Sequence, residues 1–240
     1  MNHQLPETPN TNPQQPALRM RITFSTEKTL AFVSVLDLSS IWERSLRRAG
    51  IPLRYSQGFN PRPKMNFAAP LPVGCSAQED LLDIWLESPY PPEEMRAALN
   101  GTTPPHLHVE HIAESAIDEP TLAEQLTSAE YTVWLNRIPK AACADRMKDL
   151  LTAETLPRPR RGRKYRGKTY DLRPLILDLS IVPESQDNGL AVWMHLKARP
   201  GATGRPDEVL EAMGIMDNLL RCSRTRLLLG DAESPRLTHQ

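Results

Sequence analysis

The order of elements along the chain is the feature that most constrains its fold, because the same order occurs in both halves. Alternating apolar residues predict strands, and apolar residues at helical spacing predict helices. In the first half these patterns give strand, helix, strand, strand, helix and strand. The successive segments are 21–25, 35–49, 53–55 with 65–69, 82–87, a short helix from 91, and 107–112.

The second half repeats this order with negligible sequence identity to the first. Its segments are 131–135, 140–153, 175–182, 190–196, 205–213 and 225–229. The order β-α-β-β-α-β is that of the ferredoxin-like motif. We therefore predict an α+β fold of two tandem ferredoxin-like βαββαβ units, each an antiparallel sheet with its helices on one face. The units cover 19–117 and 129–230, and a linker covers 118–128.

Alternation within the predicted strands also predicts which residues face each core. Leu82, Ile84 and Leu86 are expected to point inward in the first unit. Val192, with Met194 or Trp193, is expected to do so in the second.

Proline is unusually frequent, with 23 in 240 residues, about twice its average usage, so the elements are expected to be short. Residues 1–18 are rich in Pro, Asn and Gln, and this composition predicts a disordered tail. Residues 231–240 are predicted to be a second tail. No apolar run approaches the roughly 18 residues that cross a bilayer, and no signal peptide is evident. We therefore expect a cytoplasmic protein that is not associated with a membrane.

The net charge of zero, from 29 basic and 29 acidic side chains, excludes histone-like proteins and basic ribosomal tails. The charges are nevertheless unevenly distributed. Residues 1–127 carry 10 basic and 15 acidic side chains, whereas residues 128–230 carry 18 and 12. An acidic half is therefore joined to a basic half.

The basic excess is concentrated in the segment 157–168, which contains no acidic residue. Its prolines and glycines exclude a helix, so we predict an exposed loop. Such a loop is either a solvated connector or a grip on the phosphates of a nucleic acid, and the excess of Arg over Lys favours the second. Tyr165 could stack on a base. The predicted phosphate-binding cations are Arg158, Arg160, Arg161, Arg163, Lys164, Arg166 and Lys168.

A second loop, 55–64, combines aromatic, amide and cationic side chains and also lacks an acidic residue. It is either a rigid turn or a loop that stacks on bases and contacts phosphates. Its candidate RNA-binding residues are Tyr55, Gln57, Phe59, Asn60, Arg62 and Lys64. A third loop, 201–204, precedes a helix, but Asp207 and Glu208 in the first turn would repel a phosphate. A turn that leads into the helix is the better interpretation there.

The spacing of the metal-binding residue types predicts neither a metal nor a cofactor. Cys75, Cys143 and Cys222 lie far apart and match no zinc or iron–sulfur spacing. No Walker A, GxSxG or HExxH motif occurs. We therefore predict no catalytic residue, no metal site and no bound cofactor.

Several segments resemble the radical-SAM-linked protein family, a bacterial family of unknown function. They are Phe32–Leu38, Glu43–Gly50, Tyr55–Lys64, Phe67–Ala68, Ser128–Tyr131, Tyr170–Arg173 and 201–214. Members of that family are encoded beside, or fused to, a radical-SAM enzyme, often near RNA-processing genes. The resemblance implies such an enzyme as a partner on a separate chain, and it supplies no catalytic residues. One departure is Val35, where the family usually has His.

Three functions remain open from the sequence. The first is a non-catalytic RNA-binding accessory protein that presents RNA to a separate radical-SAM enzyme. The second is an RNA-processing endonuclease of the tandem ferredoxin-like type, although no His lies on the first helix or in either glycine-containing loop. The third is a protein–protein adaptor whose docking face is the acidic segment 79–94.

Overall fold

The computed structural model describes residues 18–160, 166–182 and 189–230. It confirms the α+β class. The elements of the first half are β1 (Leu18–Thr26), α1 (Val35–Arg48), β2 (Met65–Phe67), β3 (Cys75–Leu86), α2 (Pro92–Asn100) and β4 (Leu107–Ser115). A short helix, α3 (Leu122–Gln125), follows. Those of the second half are β5 (Leu126–Leu135), α4 (Lys140–Thr152), β6 (Pro157–Pro159), β7 (Thr169–Asp171), β8 (Ile176–Ile181), β9 (Leu190–Arg199), β10 (Ala202–Thr203), α5 (Pro206–Ala212) and β11 (Leu219–Leu229).

Local sequence determines where α1 begins and ends. The Ser34 hydroxyl accepts a hydrogen bond from the backbone N–H of Asp37, at 3.2 Å, and so satisfies one of the first N–H groups of the helix. At the other end Gly50 adopts a φ of 68°, which glycine tolerates best. The predicted helix, 35–49, therefore agrees with the structure to within one residue.

Most strands of the described residues join one nine-stranded, mostly antiparallel sheet. In the first half the strand order is β4-β1-β3-β2, and every neighbouring pair is antiparallel. In the second half the order is β11-β5-β9-β8, again antiparallel throughout, and β10 adds a short hairpin to β9. The prediction of two separate sheets is wrong, because the two halves share hydrogen bonds across one edge.

The junction between the halves is a short parallel pairing of β11 with β3. The register pairs are Cys222 with Cys75, Ser223 with Ser76 and Arg224 with Ala77. This pairing is open to β11 because β2 is only three residues long and covers β3 from Leu82 to Ile84 alone. Cys75 and Cys222 form a disulfide across the junction, which the sequence analysis did not predict.

A buried ion pair lies at the same junction. The Arg224 guanidinium donates to both carboxylate oxygens of Asp80, at 2.8 and 2.7 Å. It also donates to the carbonyl oxygens of Pro70 and Ala69, both at 3.1 Å. The side chains of Arg224 and Asp80 are only 1% and 6% exposed. The buried charges of Arg224 and Asp80 therefore compensate each other through two parallel hydrogen bonds, and this pair connects the two halves.

Each half has its own apolar core. Leu82, Ile84 and Leu86 are fully buried in the first core, as predicted. Val192 and Met194 are fully buried in the second. Trp193 alternates with them and lies on the opposite face of the sheet.

The segment predicted as a linker is partly regular. α3 begins with a capping box, in which the side chains of Thr121 and Glu124 each bond to the backbone N–H of the other residue. β5 already begins at Leu126. Arg19 donates to the carbonyl oxygen of Glu119 at 2.8 Å and holds the preceding chain against the first half. None of the described helices has the length and apolar character needed to cross a bilayer.

The pairings also fix the relative direction of the two halves. β1 is antiparallel to β3, β3 is parallel to β11, and β11 is antiparallel to β5. β1 and β5 therefore run in the same direction. α1 follows β1 and α4 follows β5, and each helix returns along the sheet. The segments after α1 and after α4 consequently lie at the same end of the sheet.

Candidate nucleic-acid interface

The segment 54–64 after α1 forms a hairpin, here called the first hairpin. Tyr55 and Pro63 form an antiparallel bridge. The backbone N–H of Ser56 donates to the carbonyl oxygen of Arg62 at 2.8 Å, and the N–H of Arg62 donates to the Ser56 hydroxyl at 3.1 Å. At the tip Gly58 has a φ of 147°, a conformation that side chains disfavour. The tip is therefore a defined turn.

The predicted RNA-binding residues of the first hairpin differ in their surroundings. Gln57, Phe59 and Asn60 are exposed at the tip, and the Phe59 ring is fully exposed. Exposure of an aromatic ring to water is unfavourable. Such a ring is available to stack on a base.

The other three side chains already contact the protein. The Arg47 guanidinium lies 5.8 Å from the centre of the Tyr55 ring. Arg62 is 3.9 Å from the Glu43 carboxylate, although its side chain remains 75% exposed. The Lys64 ammonium lies 4.5 Å from the centre of a Trp85 ring. Arg62 and Lys64 therefore lie near the surface, where contacts with Glu43 and Trp85 restrict their positions.

The chain after α4 forms a second hairpin, described over residues 157–160 and 166–171. Its base is a two-stranded ribbon of β6 and β7, closed by a 2.8 Å hydrogen bond from the N–H of Arg160 to the carbonyl oxygen of Lys168. The prediction that 157–168 is entirely loop is therefore wrong at its first residues. Asp171 anchors the ribbon, since its carboxylate accepts from the N–H groups of Leu156 and Arg173 at 2.7 and 3.0 Å.

Arg158 contributes to the attachment of the second hairpin. It is half-buried and forms ion pairs with Glu208, at 3.3 Å, and with Glu211, both on α5. Glu208 itself is buried. The acidic residues that neutralise this cation lie about 50 positions along the chain, where inspection of the basic segment alone could not find them. Arg158 is therefore less suited to phosphate binding than the exposed Arg166 and Lys168.

Three more predicted cations belong to the described residues of the second hairpin. The Arg160 guanidinium is 5.8 Å from the centre of the Tyr170 ring, and Arg166 and Lys168 are exposed. The other four predicted residues lie outside the described residues. They are Arg161, Arg163, Lys164 and Tyr165.

The third loop, 201–204, has a packing role. A Cβ atom on Gly204 would lie 2.9 Å from the carbonyl oxygen of Leu175 and 3.1 Å from the Cβ atom of Leu196. Backbone approaches this close require glycine. Nearby, Asp207 pairs with Arg205 at 3.0 Å.

Burial shifts the pKa of two titratable side chains in the second half. No cluster of three or more His, Cys, Asp and Glu side chains within the described ranges could hold a metal ion. The Cys143 thiol is buried, and burial raises its pKa. Burial also lowers the pKa of His195, although Glu130 and Asp178 oppose that shift. An imidazole nitrogen of His195 lies 2.8 Å from the Ser128 hydroxyl.

Sequence reasoning missed a cleft at the junction of the two halves. Its volume is about 710 Å³, and its lining includes Phe32, Trp134 and Arg221. The alternation of residues along β5 contained one signal of this cleft. Trp134 alternates with the buried Val133 and Leu135, so it had to face the side of the sheet opposite the second core.

A family model described as "Uncharacterized protein conserved in bacteria (DUF2344)" matches residues 19–206. No curated protein matches the sequence. Among solved structures, the chain is similar to one chain of a Cbf5-Nop10-Gar1 complex, at 10% identity and a TM-score of 0.47. That match covers 87% of this chain, which spans about half (48%) of the other.

A second solved structure is provisionally assigned as a glycine cleavage system transcriptional repressor. It matches at 11% identity and a TM-score of 0.23, over 90% of this chain and 100% of the other. Neither structural likeness is strong enough to carry a functional argument.

Proposed function

The chain belongs to the bacterial family DUF2344, and we propose that it is a non-catalytic RNA-binding accessory protein. In this proposal it presents RNA to a separately encoded radical-SAM enzyme. The enzyme partner is supported by the sequence resemblance alone. We further propose that each half is a ferredoxin-like βαββαβ unit, which the orders β4-β1-β3-β2 and β11-β5-β9-β8 support.

One observation carries the RNA proposal: the two basic hairpins lie at the same end of the sheet. The first presents the exposed Phe59 ring, and the second presents the exposed Arg166 and Lys168. Exposed cations bind phosphates without regard to sequence, and exposed aromatic rings stack on bases. A single strand that follows this end of the sheet would meet both kinds of contact.

The salt dependence of RNA binding tests the phosphate contacts. For a single strand, each neutralised phosphate contributes about −0.7 to the slope of log affinity against log salt. A variant with Gln at the six cations other than Arg158 should lose a slope of about 3 if four of them make contact. The six are Arg160, Arg161, Arg163, Lys164, Arg166 and Lys168. Arg158→Gln is the matched control and should leave the slope unchanged, because Glu208 and Glu211 already neutralise that cation.

Aromatic substitutions separate stacking from phosphate binding. Replacing Tyr55, Phe59 or Tyr165 by Ala should weaken binding by about 1–3 kcal/mol where a base stacks, with the salt slope retained. Unchanged affinity and slope in the six-fold Gln variant would contradict the proposal and leave the basic segment as a solvated connector. An RNA-cleavage assay on the same RNA distinguishes an accessory protein from an endonuclease.

The structure weakens the adaptor alternative, which relied on the acidic segment 79–94. Asp80 is buried against Arg224, and Asp83 is buried against Arg19. Two of the carboxylates in that segment therefore stabilise the fold and do not contribute to an exposed acidic face.

The proposed partnership with a radical-SAM enzyme is tested separately. Turnover of that enzyme on its RNA should fall when this chain is absent, while the enzyme keeps its iron–sulfur cluster.

A further inference from the structure

The cleft at the junction lies across both halves of the sheet. Its walls come from the end of β1 and the turn after it, from the start of β3 and from the adjoining ends of β5 and β11. Its volume of about 710 Å³ is within the range of small-molecule sites. It is distant in the fold from the two hairpins, since they lie at the end of the sheet where β1 and β5 begin.

Planar side chains line this cleft. The Arg221 guanidinium carbon lies 3.7 Å from the centre of a Trp134 ring, so the two planes are in contact. Phe32, which also lines the cleft, is 70% exposed. Leu220, beside Arg221, is 58% exposed. Aromatic rings and guanidinium planes are the surfaces on which proteins stack nucleobases.

Polar groups lie among these planar side chains. Ser25 and Ser76 line the cleft, and their hydroxyls donate to the Glu110 carboxylate at 2.7 Å and to the carbonyl oxygen of Cys222 at 3.3 Å. Gln78 adds an amide, which both donates and accepts. Such groups can pair with the donors and acceptors on the edge of a base.

The charge of the lining also limits the ligand. Lys28 and Arg221 are balanced by Glu27 and Glu110. A balanced lining suits a neutral heteroaromatic ring better than a run of phosphates, which the carboxylates would repel.

We propose that this cleft binds a nucleobase. The inference deepens the proposed function and rests on it for the choice of nucleic acid as the ligand class. The base could belong to an RNA strand whose backbone lies elsewhere on the protein, or to a free mononucleotide. Phe32 and Arg221 are the residues assigned to stack on the ring.

Calorimetric titration of the full chain tests the proposal, with adenosine and uridine monophosphates as one set of probes and oligoadenylate and oligouridylate as the other. Phe32→Ala and Arg221→Gln should each weaken binding about 5- to 150-fold, the loss that corresponds to one stacked base. Leu177→Ala, which removes another exposed apolar side chain, is the control for Phe32→Ala, and Arg226→Gln is the control for the cation. Both should leave mononucleotide binding unchanged, because neither residue lines the cleft.

The outcomes distinguish the two proposals. Mononucleotide binding that depends on Phe32 and Arg221 supports a base site for free nucleotides, even if the hairpin variants show that the RNA proposal is wrong. Oligonucleotide binding alone that depends on them supports a base site for RNA. If neither substitution alters binding of any probe, or if no probe binds, the nucleobase assignment is overturned.

Discussion

Replacing Arg224 by Met should strongly destabilise the protein, because Arg224 is the centre of the buried contact between the halves. The substitution leaves the Asp80 carboxylate buried without its two hydrogen bonds, and it leaves the carbonyl oxygens of Pro70 and Ala69 without their donor. Breaking a buried pair by removing one partner costs about 3–5 kcal/mol. We expect a loss of that size in the free energy of unfolding.

Urea unfolding, followed by tryptophan fluorescence, measures this loss. The double variant Asp80→Leu/Arg224→Met removes both charges and should recover much of the stability. The matched control is the exposed pair of Arg96 and Glu93, 2.7 Å apart on α2, where Arg96→Met should cost about 0–1 kcal/mol. A loss in Arg224→Met no larger than in the control, or a double variant less stable than the single one, would refute the reasoning.

Three further predictions concern stability. Reducing the Cys75–Cys222 disulfide should lower the free energy of unfolding by up to about 5 kcal/mol, because the disulfide closes a loop with a sequence separation of 147 residues. Urea unfolding with and without dithiothreitol measures this loss. Gly204→Ala should cost about 1–3 kcal/mol because its Cβ meets backbone, whereas Gly101→Ala, whose nearest atom is 3.4 Å away, should be nearly neutral by the same measurement. The lowered pKa of His195 means that the unfolded chain binds the proton more readily, so this contribution to stability is complete above the unfolded pKa of about 6.5 and is lost as the pH falls below it. A His195→Gln variant should therefore show a weaker decrease in stability between neutral and mildly acidic pH.

Elements with local signals were predicted well from the sequence. The limits of α1 followed from Ser34, Asp37 and Gly50, which act on neighbouring backbone groups. By contrast, β3 was predicted to begin at 82 but begins at Cys75. Its first residues are mostly small or polar, and a register shift next to Asp80 interrupts the alternation. That part of the strand is stabilised by β11, which no local pattern reveals.

The candidate site was predictable to a similar degree. Composition predicted that the chain is non-helical at both hairpins, because Gly and Pro disfavour helices wherever they occur. It could not identify the partners of Arg158, since Glu208 and Glu211 come from a distant helix. The junction cleft was also missed. Its lining comes from segments as far apart as Ser25 and Ser223, and they meet where β3 pairs with β11.

The unequal lengths of β2 and β8 determine how far the sheet can extend. β2 leaves the start of β3 open, and β11 occupies that place. The corresponding edge of β9 is covered by β8 and, further along, by β10. Head-to-tail contacts between similar units propagate into filaments unless the next acceptor is blocked. β8 therefore blocks the addition of a further strand to this edge of the sheet. Shortening β8 to the length of β2 would expose the edge of β9, and β4 of another molecule could then pair with it.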